Sequence, residues 1–162
     1  MTLMNARIRA AGPDDVPVLV ELMTAFYDEG GYPLPRAAAT RAFQSLLAEP
    51  ALGRVWIIER DGEPVGHIVL TLGFSMEYGG LRGFVDDFFV RAEHRNQGLG
   101  AFALTTVRQA CQQLGVRALL VETGSEGHPA RRLYERAGFT ENGRVFLIQA
   151  FAAAVHESAQ DL

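Results

Sequence analysis

Cysteine is scarce in this chain of 162 residues, which contains only Cys111. A single cysteine excludes a disulfide within the chain, and this favours a reducing, cytoplasmic compartment. Cys111 shares helical spacing with Leu104, Val107 and Leu114. We therefore interpret it as a small buried side chain rather than as a nucleophile.

Long apolar runs are also missing. No run approaches the roughly 20 apolar residues that a membrane-spanning helix requires. The first residues show no apolar stretch like that of a signal peptide. We therefore expect a soluble, cytoplasmic protein with no membrane partner.

The chain has no excess of positive charge. Its formal net charge is −4 and its pI is about 5.5, whereas proteins that bind nucleic acids through phosphates need a concentrated basic face. We therefore expect no nucleic-acid partner, and the acidic balance is compatible with a cationic substrate. No cluster of His, Cys and Asp has the spacing of metal ligands, so we predict no metal.

The composition is that of an ordinary globular protein, with 48% hydrophobic and 21% charged residues. A chain of this length suits one domain with a substantial core. We predict a single domain over residues 1–162, with its core at about 6–150 and a tail at 152–162.

Hydrophobic periodicity predicts the element order β-α-α-β-β-β-α-β-α-β-β, which is an α/β arrangement of a mixed sheet flanked by helices. A helix separates the strands predicted at 84–90 and 116–123, so these two should be parallel. The other predicted strands lie around Ile8 and at 54–60, 65–74, 139 and 145–151, and the predicted helices at 16–27, 36–48, 99–114 and 129–137.

The strand at 84–90 carries Asp86 and Asp87 and runs into a basic, glycine-rich turn, Arg95-Asn96-Gln97-Gly98-Leu99-Gly100. A helix follows at once, and its first N–H groups lack partners within the helix, so they can bind an anion. Glycines let the anion approach the backbone. By itself the hexapeptide fits a plain strand-to-helix turn equally well.

A second segment, residues 127–139, predicts a short helix with Tyr134 about one turn before Gly138. An arbitrary tyrosine in an amphipathic helix is more often a core residue than a catalytic one.

Together the two segments resemble the GNAT superfamily of acyl-CoA-dependent N-acyltransferases. Arg95-x-x-Gly98-x-Gly100 is similar to the family's pyrophosphate loop, and Ala130-x-x-Leu133-Tyr134-Glu135-x-x-Gly138-Phe139 to its C-terminal motif. The resemblance covers about residues 6–150. It implies a GNAT-like fold, with a central mixed, mostly antiparallel sheet of six to seven strands. A V-shaped splay would separate the two central parallel strands, and about four helices would flank the sheet.

The resemblance implies acetyl-CoA as co-substrate. The backbone of Phe88 and Val90 would pair with the pantetheine arm, and N–H groups from Gln97 to Ala101 would hold the pyrophosphate with Arg95 alongside. The cofactor-binding residues implied are Phe88, Phe89, Val90, Arg95, Asn96, Gln97, Gly98, Leu99, Gly100 and Ala101. Gly127 stands where the motif commonly has Asn, so one polar contact is missing or comes from Ser125 or His128.

The resemblance also implies two catalytic residues. Tyr134 would protonate the leaving thiolate. Asp86 would be the base, because Val85-Asp86-Asp87-Phe88-Phe89-Val90 resembles the Glu-Asp-Phe-Phe-Val run of spermidine/spermine and thialysine acetyltransferases. Asp is one methylene shorter than Glu, which favours a relaying water. Asp86 could instead bind the substrate cation or hydrogen-bond within the sheet. Strand alternation places Asp87 on the opposite face, in a structural role.

The candidate substrate-binding residues are Tyr27, Tyr32, Asp86 and Glu122. Tyrosines and acids suit a cationic amine. A polar helix end for the tyrosines and a solvated or sheet-pairing role for Glu122 are equally compatible with the sequence. His67 lies between apolar residues and is interpreted as a core histidine.

The sequence therefore predicts an acetyl-CoA-dependent N-acetyltransferase. Its expected acceptor is the primary amine of a small cationic molecule, such as a polyamine or an amino-acid-like compound. The alternatives are a protein lysine or N-terminal acetyltransferase and a non-catalytic acyl-CoA sensor. A homodimer is expected because it is common in the resembled family.

Overall fold

A computed structural model describes residues 3–124, 128–152 and 154. It shows one five-stranded sheet with helices on both faces. Among the described helices, none combines the length and apolarity needed to cross a bilayer. The strands are β1 (Ala6–Ala10), β2 (Gly53–Arg60), β3 (Glu63–Ser75), β4 (Gly80–Val90) and β5 (Ala118–Val121), and the helices are α1 (Val16–Glu29), α2 (Arg36–Ala48), α3 (Leu99–Leu114) and α4 (Pro129–Arg136).

The strands lie in sequence order across the sheet. The first four are antiparallel, and β5 is parallel to β4. The turn between β2 and β3 is Asp61-Gly62, and both residues have positive φ (53° and 84°). Such a turn matches the right-handed twist of a hairpin and explains the Asp-Gly pair. The mixed, mostly antiparallel sheet with four helices confirms the predicted α/β class.

Two cores lie on opposite faces of the sheet. The first packs β-strand residues such as Ile68 and Leu70 against α3 and α4. The second packs Val55, Ile57 and Val69 against α1 and α2. Since neighbouring strand residues alternate between faces, β2 and β3 each contribute to both cores.

The strand count differs from the prediction. The described residues form five strands rather than six to seven, and the segment 145–151 forms no strand. Its large apolar side chains are between 63% and 93% exposed. A β-favouring sequence becomes a strand only when a partner strand is available. Consequently β5 is an edge strand here, not a central one. Most of the predicted tail at 152–162 lies outside the described residues.

The parallel pair splays apart. Strand β5 pairs with β4 only from Arg82 to Val85, whereas β4 continues to Val90. Residues 86–90 of β4 therefore have an open edge on the β5 side, and this edge forms one wall of a V-shaped opening. The splay agrees with the predicted fold.

We predict that Gly66→Ala destabilises the protein by about 1–3 kcal/mol, because an added methyl group collides with packed neighbours. A Cβ at Gly66 in β3 would overlap the carbonyl oxygen of Phe89 and lie 3.1 Å from Val90 Cα. The matched control in the same strand is Gly73→Ala, where the nearest atom is Arg82 Nε at 3.6 Å. Urea denaturation of both variants measures the difference, and equal midpoints would contradict the expectation.

Candidate active site

The splay between β4 and β5 holds a cavity of about 190 Å³. Asp86 of β4, Glu122 after β5 and Tyr134 of α4 line this cavity together with Phe26 of α1 and Phe88. Strand β4, the residue after β5 and helix α4 thus bring two carboxylates and one phenol to the same opening. Both predicted catalytic residues, Asp86 and Tyr134, face this one cavity.

A β-bulge determines how Asp86 is presented. Ile68 pairs with Phe88 and Leu70 pairs with Val85, so Asp86 and Asp87 together lie opposite the single residue Val69. A bulge adds one residue to a strand and redirects its side chains. It interrupts the alternation that was expected to separate the two acids. Both carboxylates act electrostatically on the same phenol, that of Tyr27 in α1, so the expectation of opposite faces is not met.

The surroundings of Asp86 favour its protonated form. The walls of the cavity desolvate the carboxyl, and the neighbouring charges of Asp87 and Glu122 repel a further negative charge. Each of these effects raises the pKa of Asp86 above its usual value of 3.8. The residue still reaches solvent at the cavity mouth. A raised pKa makes the carboxylate a stronger base than an ordinary aspartate.

Tyr134 is held in place by aromatic neighbours. Its ring centroid lies 6.3 Å from that of Phe88 and 5.6 Å from that of Phe139, which meets it edge-on. Burial raises the pKa of Tyr134 to about 12. The phenol therefore keeps its proton at neutral pH and can act as a hydrogen-bond donor.

The helix that carries Tyr134 begins with a side-chain cap. His128 Nδ1 accepts a hydrogen bond of 3.2 Å from the Ala130 N–H, and Pro129 occupies the first helical position. Both features stabilise a helix N-terminus, where the first N–H groups lack partners within the helix. His128 also lines the cavity. Ser125 and Gly127, the other residues considered for a cofactor contact, lie outside the described residues.

A second cavity, of about 490 Å³, lies at the N-terminus of α3. Asn96, Gln97, Gly98 and Ala101 line it. Gly98 caps the helix with φ of 82°, a conformation that favours glycine. The first helical hydrogen bond is donated by the N–H of Phe102 to Gly98 O. The N–H groups before it are those that a helix leaves for an anion.

Arg95 lies beside this turn but already has partners. Its guanidinium forms a two-point ion pair with Glu29 at the end of α1, with distances of 2.7 Å. Its Nε donates a hydrogen bond of 2.8 Å to Val90 O, and its charge lies 5.6 Å from the centre of the Phe89 ring. Arg95 therefore ties α1 to the end of β4.

The predicted substrate-binding residues differ in their exposure and in how close they lie to the cavity and its acids. Tyr27 is close to both aspartates, and burial together with their charges raises its pKa. Tyr32 is 54% exposed, and its N–H donates to Tyr27 O. Glu122 lines the cavity. Within the described residues, no group of three or more His, Cys, Asp or Glu side chains could hold a metal ion.

A model of the acetyltransferase (GNAT) family matches residues 18–139. The chain belongs to the GNAT family. A solved structure of the integron cassette protein HFX_CASS3, from the mobile metagenome of Cole Harbour Salt Marsh, is 61% identical. That alignment covers 93% of both chains with a TM-score of 0.86.

Two relatives from Bacillus subtilis (strain 168) are described as uncharacterized N-acetyltransferases. YycN is 34% identical over 36% of this chain and 37% of its own length. YhfO is 30% identical over 54% of this chain and 59% of its own length. The chain therefore matches less than two thirds of either relative.

A more distant structure shares the fold. It is a predicted acetyltransferase from Clostridium acetobutylicum, solved with acetyl-CoA, and it is 18% identical with a TM-score of 0.74. The alignment covers 89% of this chain and 96% of that one.

One cavity residue of this GNAT domain, Phe26, went unnoticed in the sequence, whereas His67 was expected in the core. Phe26 lines the cavity from α1, and its position next to Tyr27, a predicted substrate-binding residue, could have indicated this role. His67 is fully buried, and its Nε2 lies 3.7 Å from Asp87 Oδ2. The rings of Phe43 and Phe89 pack near the imidazole. Asp87 thus lies between His67 and the Tyr27 phenol, which donates a hydrogen bond to it.

We predict that Glu122→Gln lowers the pKa of Asp86, because it removes one of the negative charges that raise it. Asp87→Asn should lower it further, since Asp87 is the larger of the two charge effects. Carbon-detected NMR titration of the Asp86 carboxyl, assigned through Asp86→Asn, measures the shift. Glu93→Gln, outside this cavity, is the matched control and should leave the titration unchanged. An unchanged Asp86 midpoint in Glu122→Gln would contradict the geometry.

Proposed function

We propose that this GNAT protein transfers an acetyl group from acetyl-CoA to a primary amine on a small cationic molecule, such as a polyamine or an amino-acid-like compound. The observation that carries the proposal is the convergence of Asp86 and Tyr134 on one cavity, beside an anion-binding helix N-terminus. A base, a hydrogen-bond donor for the leaving thiolate and a phosphate site are the parts that the reaction requires.

The residues present fit acetyl-CoA. Gln97, Gly98 and Ala101 line the cavity at the N-terminus of α3, and the helix dipole adds partial positive charge there. The open edge of β4 offers backbone groups of Phe88 and Val90 to an extended pantetheine arm, which would add to the sheet as a strand does. The complex of the Clostridium acetobutylicum protein with acetyl-CoA supports this co-substrate.

The acidic cavity suits an ammonium group. Asp86, Asp87 and Glu122 supply negative charge, and Tyr27 adds an aromatic face. A lysine-like ammonium has a pKa near 10.4, so it must lose a proton before it attacks. We assign this proton transfer to Asp86, acting through a water molecule because its side chain is short.

Tyr134 has a defined part in this reaction. The attacking nitrogen forms a bond with the thioester carbon, and the carbon–sulfur bond then breaks. A phenol with a pKa of about 12 is a weaker acid than a thiol with a pKa near 8.5. We therefore assign to Tyr134 a hydrogen bond that stabilises the thiolate as it forms. The proton that the thiol finally carries originates on the attacking nitrogen.

The test is incubation of the protein with acetyl-CoA and a panel of polyamines, amino acids, aminoglycosides and peptides. Free thiol and the mass of the amide product are followed together. The sequence contains no lysine, so acetylation of its own lysine side chains cannot contribute to the thiol signal. Turnover of a small amine supports the proposal. Turnover of peptides alone indicates a protein acetyltransferase, and acetyl-CoA binding without turnover indicates a sensor.

With an active amine, we predict that Asp86→Asn and Tyr134→Phe each lower kcat/KM by about 10²-fold or more, while CoA affinity changes less than about twofold. The rate of the unchanged protein should rise with pH through the raised pKa of Asp86, because only the carboxylate accepts a proton. Glu122→Gln should move this rise to lower pH. If Asp86→Asn leaves the dependence of the rate on pH unchanged, Asp86 is not the base.

A further prediction concerns the phosphate turn. Gly98 and Gly115 cap the two ends of α3 with φ of 82° and 74°. Alanine at either position adopts a strained left-handed conformation that costs roughly 1–2 kcal/mol, so the two variants should lose similar stability. Only Gly98→Ala should weaken CoA binding, since only Gly98 lines the cavity. Calorimetric titration with CoA distinguishes them, and equal affinities would place the pyrophosphate elsewhere.

A further inference from the structure

Arg95 begins the turn that leads into α3, but its side chain is directed away from that turn. Residues 96–98 line the cavity at the N-terminus of α3, whereas the Arg95 side chain lies against β4. Its Nε donates a hydrogen bond of 2.8 Å to Val90 O, and its Cζ lies 5.6 Å from the centre of the Phe89 ring. The guanidinium is therefore fixed on the strand rather than over the anion-binding turn.

Glu29, the last residue of α1, completes the contacts of this guanidinium. Nη1 and Nη2 of Arg95 each contact one carboxylate oxygen of Glu29 at 2.7 Å. Exposed ion pairs usually contribute little to stability, and a two-point geometry is the exception. Such a pair also fixes the orientation of both side chains. Arg95 thus holds the end of α1 at the end of β4.

The end of α1 has few other supports. The last buried residue of the helix is Met23, and residues 28–30 are exposed. The chain then enters Gly30-Gly31, where Gly31 has φ of 77°. Glycine is conformationally permissive, so this loop constrains the helix end weakly. The position of the last turn of α1 therefore depends on its contacts with β4 and Arg95.

Phe26 lies between this ion pair and the reaction cavity. It precedes Glu29 by three residues, so the two side chains share one face of α1. Its ring centroid is 5.4 Å from that of Phe89, the ring that also contacts Arg95. Phe26 lines the cavity that contains Asp86. A displacement of the end of α1 would therefore move one wall of this cavity.

We propose that Arg95 and Glu29 form a positioning pair for the amine acceptor, and that Arg95 is not a ligand of the pyrophosphate. The pair holds the end of α1 so that Phe26 forms its wall of the cavity, while the pyrophosphate binds at the N-terminus of α3. This role rests on the proposed function, since it concerns the acceptor of that reaction. Neither side chain of the pair touches the reacting atoms.

Calorimetric titration with CoA tests the first part of the proposal and requires no acceptor. Arg95→Met and Glu29→Gln should each bind CoA within about threefold of the unchanged protein, because neither residue holds a phosphate. Loss of a charged hydrogen bond to phosphate would weaken binding by about tenfold or more. A loss of more than about threefold in Arg95→Met, or a comparable gain in Glu29→Gln, would overturn the proposal. Asp28→Asn, which removes the neighbouring exposed charge, is the matched control and should bind CoA normally.

Hydrogen exchange followed by mass spectrometry reports on the helix end directly. The N–H groups of Gly30 and Gly31 donate to Phe26 O and Asp28 O. These amides should exchange faster in Arg95→Met and in Glu29→Gln than in the unchanged protein or in Asp28→Asn. Unchanged exchange in both variants would show that the pair does not hold the helix. If the unchanged protein acetylates no amine, the proposed function fails, and CoA affinity and exchange still decide this role.

With an active amine, steady-state kinetics separate positioning from catalysis. Arg95→Met and Glu29→Gln should each raise KM for the amine about tenfold, with kcat changed less than about threefold. The double variant should be no worse than Arg95→Met alone, because the two residues act through one contact. Asp28→Asn should leave both constants unchanged. A fall in kcat at constant KM, or increases in KM that multiply in the double variant, would contradict a positioning pair.

Discussion

The structure depends on the early end of pairing between β4 and β5. Four residue pairs join these parallel strands, and then β5 ends while β4 continues for five residues. A sheet that stayed paired to Val90 would have no opening, because its backbone groups would be satisfied within the sheet. The cavity that contains Asp86 and Tyr134 and the open edge for an extended ligand both result from this one departure. The remaining elements, α1 and α4, close the sides of the gap.

The segment from β4 to the start of α3 places negative charge at one cavity and an anion-binding helix end at the other. The bulge in β4 gathers acids around an opening where the pKa of Asp86 rises. A few residues later, the N-terminus of α3 offers backbone N–H groups and a favourable dipole to an anion. Arg95 couples the two regions, since it binds Glu29 of α1 and the carbonyl oxygen of Val90. In the proposed reaction, the acceptor cation and the phosphate-bearing donor thus approach the same strand from different sides.

Local features were predictable from the sequence, whereas pairings between distant segments were not. The helix predicted at 99–114 is observed as α3, and Gly98 and Gly115 at its two ends both adopt positive φ. The Asp61-Gly62 hairpin also follows from local turn chemistry. The ion pair between Arg95 and Glu29 joins residues that are 66 positions apart, and no periodicity in the sequence predicts it. The bulge at Asp86 is equally invisible, because an added residue shows only when the partner strand is in place. The segment 145–151 reads as a strand by composition, yet a strand also requires an edge to pair with.

The sequence by itself determined the four helices, the first five strands, the two motifs and the family resemblance, because these depend on residue spacing and on backbone conformations that each residue type favours. Tertiary structure decided which groups meet. It placed both acids near Tyr27, paired Arg95 with Glu29, buried His67 beside Asp87 and left the segment 145–151 outside the sheet. The physical reason is that contacts, desolvation and strand register arise between segments far apart in the chain, and these determine the chemistry of a side chain whose identity the sequence already states.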